Sequence, residues 1–304
     1  MPNLKDIKSR INSVQNTKKI TKAMKMVAAA KVKKAEYTVK AARPFSDELL
    51  HLFRKMLATV GEYSSDGLKM ERALDDYAEL IKPREVKAEG LLVMTSNKGL
   101  AGAYNANVIK AAFKRIKENK ENGIKTFVYP VGQKAVSAFK SKKSDDFVLK
   151  KGYLAIANNP TATGATVIAE DIAEDFVKGE LDSIDVFTTH FNNMMSYNVV
   201  AWEILPVKVE KGEGHELDPL MVFEPSPHAI LQQLVPMYIT NSIYQALLEA
   251  NASELASRMT AMSAASNNAE EMITSLTIDY NKARQGAITQ ELVEIVSGAN
   301  SVNN

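Results

Sequence analysis

Towards the end of the chain, apolar positions recur at alternating spacings of three and four residues. From Leu231 the seam passes through Leu234, Tyr238, Leu248, Ala252, Leu255, Met259, Met262, Ala269, Ile273, Leu276, Tyr280 and Ala283 to Ala287. Only Asn241, Gln245 and Ser266 interrupt it. With no proline after Pro236, this pattern predicts a coiled-coil strand, and its mean period of about 3.5 predicts a left-handed supercoil. At the helical rise the seam is roughly 85 Å long, more than a compact domain of this chain can contain. Such a helix projects from the rest and needs a partner strand. The same rule started at Leu4 gives Ile7, Ile11, Val14, Ala28, Val32, Val39, Leu49, Phe53, Met56 and Val60 in one register. Pro44, the one breaker between Pro2 and Gly61, predicts a kink or a short interruption. Two long matching seams at the two ends of one chain predict an antiparallel, intramolecular two-helix coiled coil, with the middle folded as a head. A homodimeric coil is the rival arrangement.

The first seam has one irregularity. It turns polar at Lys18, Thr21 and Lys25, while Ile20, Met24 and Val27 carry an apolar stripe one position earlier. One residue is about 100° of helix, so this strip is turned away from the mate strand. It is open to two readings. The stripe precesses or meets a third helix, or it is an apolar contact offered to another protein.

Between the seams the elements are shorter and alternate. After a loop, short helix and connector over 61–89, strands are predicted at GLLVMTS (90–96), IKTFVYPVG (124–132), SIDVFTTHF (183–191) and NVVAWEILPVKVE (198–210). Helices are predicted at NVIKAAFKRIKE (107–118), QKAVSAFKS (133–141) and ATVIAEDIAEDFVK (165–178). Such alternation makes an α/β head with a mostly parallel sheet and helices on its faces. The Gly- and Pro-bearing stretch 211–229 is the hinge back into the long helix. The resulting division is 1–60, first coil helix; 61–224, head; 225–304, second coil helix.

Composition adds exclusions. Among 304 residues there is no cysteine, which rules out disulfides, thiolate chemistry and Cys-ligated metals. The four histidines, His51, His190, His215 and His228, show no metal-ligand spacing. No apolar run is long enough to span a bilayer, and PNLKDIKSR does not open a signal peptide. A soluble, cytoplasmic chain is expected. The net charge of +2 hides an asymmetry: basic residues crowd from Lys5 to Arg43 against only Asp6 and Glu36, while the C-terminal strand leans acidic. Part of this is attraction within the hairpin, but the basic excess calls for an acidic partner. Nucleic acid would meet the charge requirement, yet no aromatic residue precedes Tyr37 to stack on bases.

The turn Asn97-Lys98-Gly99-Leu100-Ala101-Gly102 follows a strand and precedes a helix. However, Gly99 and Gly102 do not form G-x-G-x-x-G, and no P-loop occurs in the chain. Thr161, Thr163 and Gly164 read as a helix N-terminus with its cap before they read as an anion cradle. No serine sits in a nucleophile elbow. No catalytic, cofactor or metal residue is assigned.

Three segments carry a family resemblance: NLKDIKSRINSVQNTKKITKAMKMVAAAKVKKAE (3–36), TSNKGLAGAYNANV (95–108) and NKARQGAITQELVEIVSGA (281–299). Together they are similar to the gamma subunits of bacterial F-type ATP synthases. The resemblance implies an antiparallel coil plus a Rossmann-like mixed-sheet head. It also implies a non-catalytic rotor shaft, inside the ring of alternating alpha and beta subunits, with the head beside epsilon on the membrane c-ring. The shaft would couple ion-driven rotation to ATP synthesis or hydrolysis at the beta sites. It would be peripheral on the cytoplasmic face of the bacterial plasma membrane, without inserting into it and without nucleic acid. No cofactor is implied.

Residue by residue, Met24 in ITKAM resembles the family methionine that faces an acidic loop of beta, which makes Ile20, Met24, Lys25 and Val27 a partner contact. Arg284, Gln285 and Thr289 in KARQGAIT match residues that engage a catch loop of beta near the shaft tip, and Arg258 matches a coupling arginine. The foot on the c-ring is expected around His215 to Glu224. Ala269, Ala283 and Ala287 keep the last turns slim enough for a narrow bearing. Two features depart from the pattern: Lys25 stands where many members carry an acidic residue, and Ala101 stands where a cysteine is common. The rival readings are an RNA-binding coiled-coil arm on an α/β domain and a nucleotide-binding enzyme with a dimerising coil.

Overall fold

The structure, a computed structural model, describes residues 4–62, 80, 84–142, 145–207, 224 and 227–302. Most of the 61–89 connector, most of the 211–229 hinge and the foot region apart from Glu224 lie outside the described residues. The chain forms two compact units. One comprises Met1–Ala30 with Arg258–Asn304, the other Lys31–Ser257.

Two long helices are the first and last elements, α1 (Leu4–Glu62) and α5 (Pro227–Val302). In the first unit they run antiparallel. Lys18 Nζ meets Glu270 Oε1 at 2.9 Å and Lys25 Nζ donates to Ser263 Oγ at 2.9 Å, so a step back along α1 is an equal step forward along α5. Along the seam between them, Ile7, Thr21 and Ala28 of α1 and Met262 and Ala269 of α5 are buried. This is the intramolecular coil that the two heptad patterns predict. Followed to Leu4, the register reaches Arg284, so α5 runs on past its pairing with the described start of α1. Over 284–298 its side chains are all exposed.

α1 passes through Pro44 without interruption, contrary to the short break that its sequence allows. Proline removes one N–H, hence one bond to Lys40 O. Packing on both sides of it, with Val39 and Leu49 buried, outweighs that loss.

The second unit holds a five-stranded sheet in the order β3-β2-β1-β4-β5. β1 (Ala88–Met94) pairs in parallel with β2 (Lys125–Val131) and β4 (Ser183–Asn193), and β2 pairs in parallel with β3 (Val148–Leu149). β5 (Ser196–Leu205) returns antiparallel to β4. The return is a tight turn in which Asn193 Oδ1 accepts from the backbone N–H groups of Met195 and Ser196. β3 has only two residues, too few for an alternation to show.

Successive residues of β1 face opposite sides, and each side has its own core. Leu91 and Val93 pack with Val128 and Phe187 under α2 (Tyr104–Glu121) and α3 (Gln133–Ser141). Leu92 and Met94 pack with Tyr129, Val131 and Val186 under α4 (Ala162–Val177) and the first part of α5. In that part α5 carries a second apolar stripe, Val235, Ile239, Ile243, Ala246, Leu247 and Ala250, in contact with the sheet core. A helix with a coil seam and a sheet-facing stripe is buried nearly all round, as Ala252 to Ala256 are. Thr161 Oγ1 accepts from Gly164 N at 3.1 Å and caps α4, the structural role read for this Thr-Gly run.

Candidate functional site

In the coil unit, the polar seam positions of α1 find partners inside the coil. Thr21 Oγ1 donates to the carbonyls of Thr17 and Lys18 on its own helix, and Lys18 and Lys25 reach Glu270 and Ser263. With its polar groups satisfied, the seam does not precess. The apolar strip therefore stays outward: Ile20 is 60% and Val27 57% exposed, and Met24, one turn from each, is half-buried. Lys25 is exposed, but its ammonium is engaged by Ser263 rather than held out beside Met24.

Arg258 is half-buried on α5. Arg284, Gln285 and Thr289 are exposed, and the Thr289 hydroxyl donates to Gln285 O at 2.9 Å on its own helix. From Arg258 to Arg284 is roughly 39 Å of helix. The assigned residues thus form two stations, one around Ile20–Val27 and one on the exposed end of α5, and are not gathered at a single site. Beside the second station, Ile288, Leu292 and Ile295 are exposed on one face. They step by four and then three from Ile288, one position off the seam that ends at Ala287.

In the α/β unit, the crevice beyond the carboxyl ends of the parallel strands is where a doubly wound sheet takes a ligand. Here α5 fills it. Leu247, Ala250, Asn251 and Glu254 lie against Met94, Thr95, Ser96 and Tyr104, leaving a void of about 10 Å³. Tyr104 is fully buried, and burial pushes its phenol up. The chain turns before α2 with Leu100 and Gly102 at positive φ, and Ser96 N donates to Asn105 Oδ1. The glycine turn is closed on itself.

At the opposite end of the sheet is an open cleft of about 550 Å³ between β1, α2, β4 and β5. In its floor Arg115 donates to Glu89 through Nε and Nη2, at 3.0 and 2.8 Å, and to Asp185 Oδ2 at 3.0 Å. Burial, and then the Glu89 carboxylate beside it, push Asp185 up to about 7, with Arg115 opposing. An unfolded aspartate titrates near 3.8. Between those values the folded chain holds a proton that the unfolded chain has lost, so the associated stability is complete below the lower value and lost as pH rises through about 7. Asp185→Asn removes this dependence. Urea unfolding at pH 5 and pH 8 will show the parent losing on the order of 2 kcal/mol more than the variant over that interval.

Residues 3–302 match the family model described as ATP synthase. The chain is 40% identical to the ATP synthase gamma chain of Picosynechococcus sp. over 328 residues, covering 99% of this chain and all of that one. The ATP synthase gamma chain of Trichormus variabilis is 40% identical over 329 residues, again with 99% and 100% covered. The chain belongs to the ATP synthase gamma chain family. Among solved structures, a chain in the central stalk and c-ring of the Tetrahymena thermophila mitochondrial ATP synthase aligns with a TM-score of 0.57 and 28% identity. That alignment covers 81% of this chain and 99% of that one. A chain from the Euglena gracilis mitochondrial ATP synthase shares the fold at a TM-score of 0.53 and 16% identity, with 90% and 95% covered. As a member of the gamma chain family, this protein is a subunit of a rotary ATPase. Among the described residues, no helix is long and apolar enough to cross a membrane.

Proposed function

We propose that this gamma chain is the central rotor shaft of an F-type ATP synthase, coupling c-ring rotation to ATP synthesis or hydrolysis at the beta-subunit sites. The observation that carries this reading is the antiparallel pairing of α1 and α5 in a chain aligned end to end with ATP synthase gamma chains. Its partners are the alpha and beta subunits around the coil, epsilon, and the c-ring. The working division keeps 1–60 and 225–304 as shaft helices and 61–224 as head.

Two contacts with beta are assigned. The outward strip Ile20, Met24 and Val27, with Lys25 next to it, meets one acidic loop, supported by the exposure of the strip and the basic residues around it. Arg284, Gln285 and Thr289 meet a second loop near the tip, supported by their exposure at the end of α5, and Arg258 is the coupling arginine. The chain has no catalytic site of its own, a reading supported by the α5 residues that fill the sheet crevice. The subunit sits on the cytoplasmic face of the bacterial plasma membrane, held there by its partners.

The test is a tagged pull-down from detergent-solubilised membranes, with partner identification and an ATPase assay on the eluate. Nucleotide-binding alpha and beta subunits with ATPase activity are expected; recovery with RNA, or of the chain alone with a small ligand, would sink the shaft reading. The strip is tested separately. Because Ile20 and Val27 are exposed, replacing both by Asp leaves thermal stability within about 0.5 kcal/mol of the parent while weakening assembly with the hexamer. Met24→Lys, which adds attraction to an acidic loop, impairs coupling without unfolding the chain. Wild-type coupling in that variant counts against the contact.

A further inference from the structure

Three polar residues interrupt the seam of α5, and two of them, Asn241 and Gln245, lie in the Lys31–Ser257 unit. Asn241 Nδ2 donates to Ser46 Oγ of α1 at 2.9 Å. Gln245 Nε2 donates to Glu249 Oε1 at 3.0 Å, one turn further along α5. Glu249 is buried, and its carboxylate collects donors from two other elements as well. From α1, Arg43 contributes Nε at 3.3 Å and Nη2 at 3.2 Å. From β4 comes the backbone N–H of Phe191 at 3.3 Å, and His190 Nδ1 lies 2.5 Å from Glu249 Oε2, an ion pair when the imidazole is protonated. Arg43 Nη2 closes the cluster by donating to Phe191 O at 2.9 Å. One carboxylate thus joins α1, β4 and α5.

The surrounding contacts of α5 are apolar, through Ile239, Ile243, Ala246 and Ala250. The apolar stripe fixes which face of α5 meets the sheet, but apolar burial is non-directional and leaves the finer azimuth within that packing less sharply set. Hydrogen bonds to a charged group are directional and stronger. A screw of α5 by one residue turns it by about 100° and carries Glu249 away from every donor on α1 and β4. Buried polar groups in coil seams set register in the same way, at a cost in stability.

We propose that Glu249, with Arg43 and the His190–Phe191 segment, is the rotational lock of this rotor. It sets the azimuth of α5 against α1 and the sheet, and torque carried by the paired helices enters the α/β head through it. Glu249 is a positioning residue in this scheme, which rests on the shaft reading.

The chain contains no cysteine, so Met195→Cys, in the exposed β4–β5 turn, provides a single attachment for a rotation probe in the assembled enzyme. ATP-driven rotation is compared in this parent, in Glu249→Gln and in Arg43→Lys. Gln keeps the volume but removes the charge and places an amide NH₂ among the Phe191 and Arg43 donors; Lys keeps the charge but loses the forked bond. ATP hydrolysis in bulk is expected to stay within about two-fold of the parent, while the angular variance of the probe during pauses rises by roughly two-fold or more. Unchanged variance in both variants overturns the lock. So does a proportional fall of hydrolysis and of the number of turning molecules, which marks lost assembly rather than a loosened joint. If the parent enzyme hydrolyses ATP and its probe does not turn, the shaft reading itself fails, an outcome distinct from a turning parent whose variants are equally stiff.

Discussion

Arg115→Ala lowers the unfolding free energy by about 3–5 kcal/mol at pH 8, measured by urea unfolding. The Glu89 side chain is only 2% exposed, and Asp185 is close behind at 11%. The guanidinium reaches both, and it is the only cation bonded to either among the described residues. Asn119 also donates to Glu89 and to Thr126 Oγ1, but an amide carries no charge to offset two carboxylates. Removing the arginine therefore leaves buried charge without compensation, which costs more than the pair itself contributes. The loss shrinks towards pH 5, where protonation of Asp185 relieves the repulsion. A loss below about 1 kcal/mol at pH 8 would show that water entering the cleft solvates the acids as well as the guanidinium does.

Gly132→Ala is expected to cost at least about 3 kcal/mol. Gly132 has φ +89°, a conformation that a side chain rarely adopts, and a Cβ there would stand 2.3 Å from Thr95 O. Thr95 has little freedom to retreat. Its N–H and hydroxyl both donate to Val131 O, and the hydroxyl accepts from Ala135 N at 2.8 Å. Gly132 N is itself bonded to Tyr153 O at 2.8 Å. The substitution pushes apart β1, β2 and the start of α3 together. Thermal unfolding of the variant gives the answer, and a midpoint within a few degrees of the parent would mean that the turn relaxes at little cost.

The coil was legible because long heptad seams have few alternative solutions: Ile7, Ala28, Met262 and Ala269 are buried where the spacing puts them. The parallel strands were legible because apolar runs flanked by amphipathic helices have a single economical arrangement. β3 was not, since two residues carry no period. The second stripe of α5 is not legible in the sequence because Val235, Ile239 and Ile243 sit beside the coil seam in a helix that is apolar on two faces, and a one-dimensional pattern resolves only one face at a time.

For the candidate contacts, the displaced strip Ile20, Met24 and Val27 could be seen in the residues. Whether it would precess back into the seam could not, because that depended on Thr21 bonding its own helix and on Lys18 and Lys25 finding Glu270 and Ser263. The apolar face Ile288, Leu292 and Ile295 was present in the spacing, and its exposure follows from α5 continuing past its register with α1.

By itself, then, the order of residues determined the helical period, the strand runs, the antiparallel pairing of the chain ends and, through its motif segments, the family. These are local or repetitive properties, decided by backbone geometry and by apolar burial summed over many turns. The tertiary structure alone decided that α5 fills the sheet crevice, that Arg115 is shared by two buried acids, and that Glu249 binds three elements at once. Each depends on side chains far apart in sequence meeting within hydrogen-bond distance, such as Arg43 and Glu249, and no periodicity along the chain encodes such a meeting.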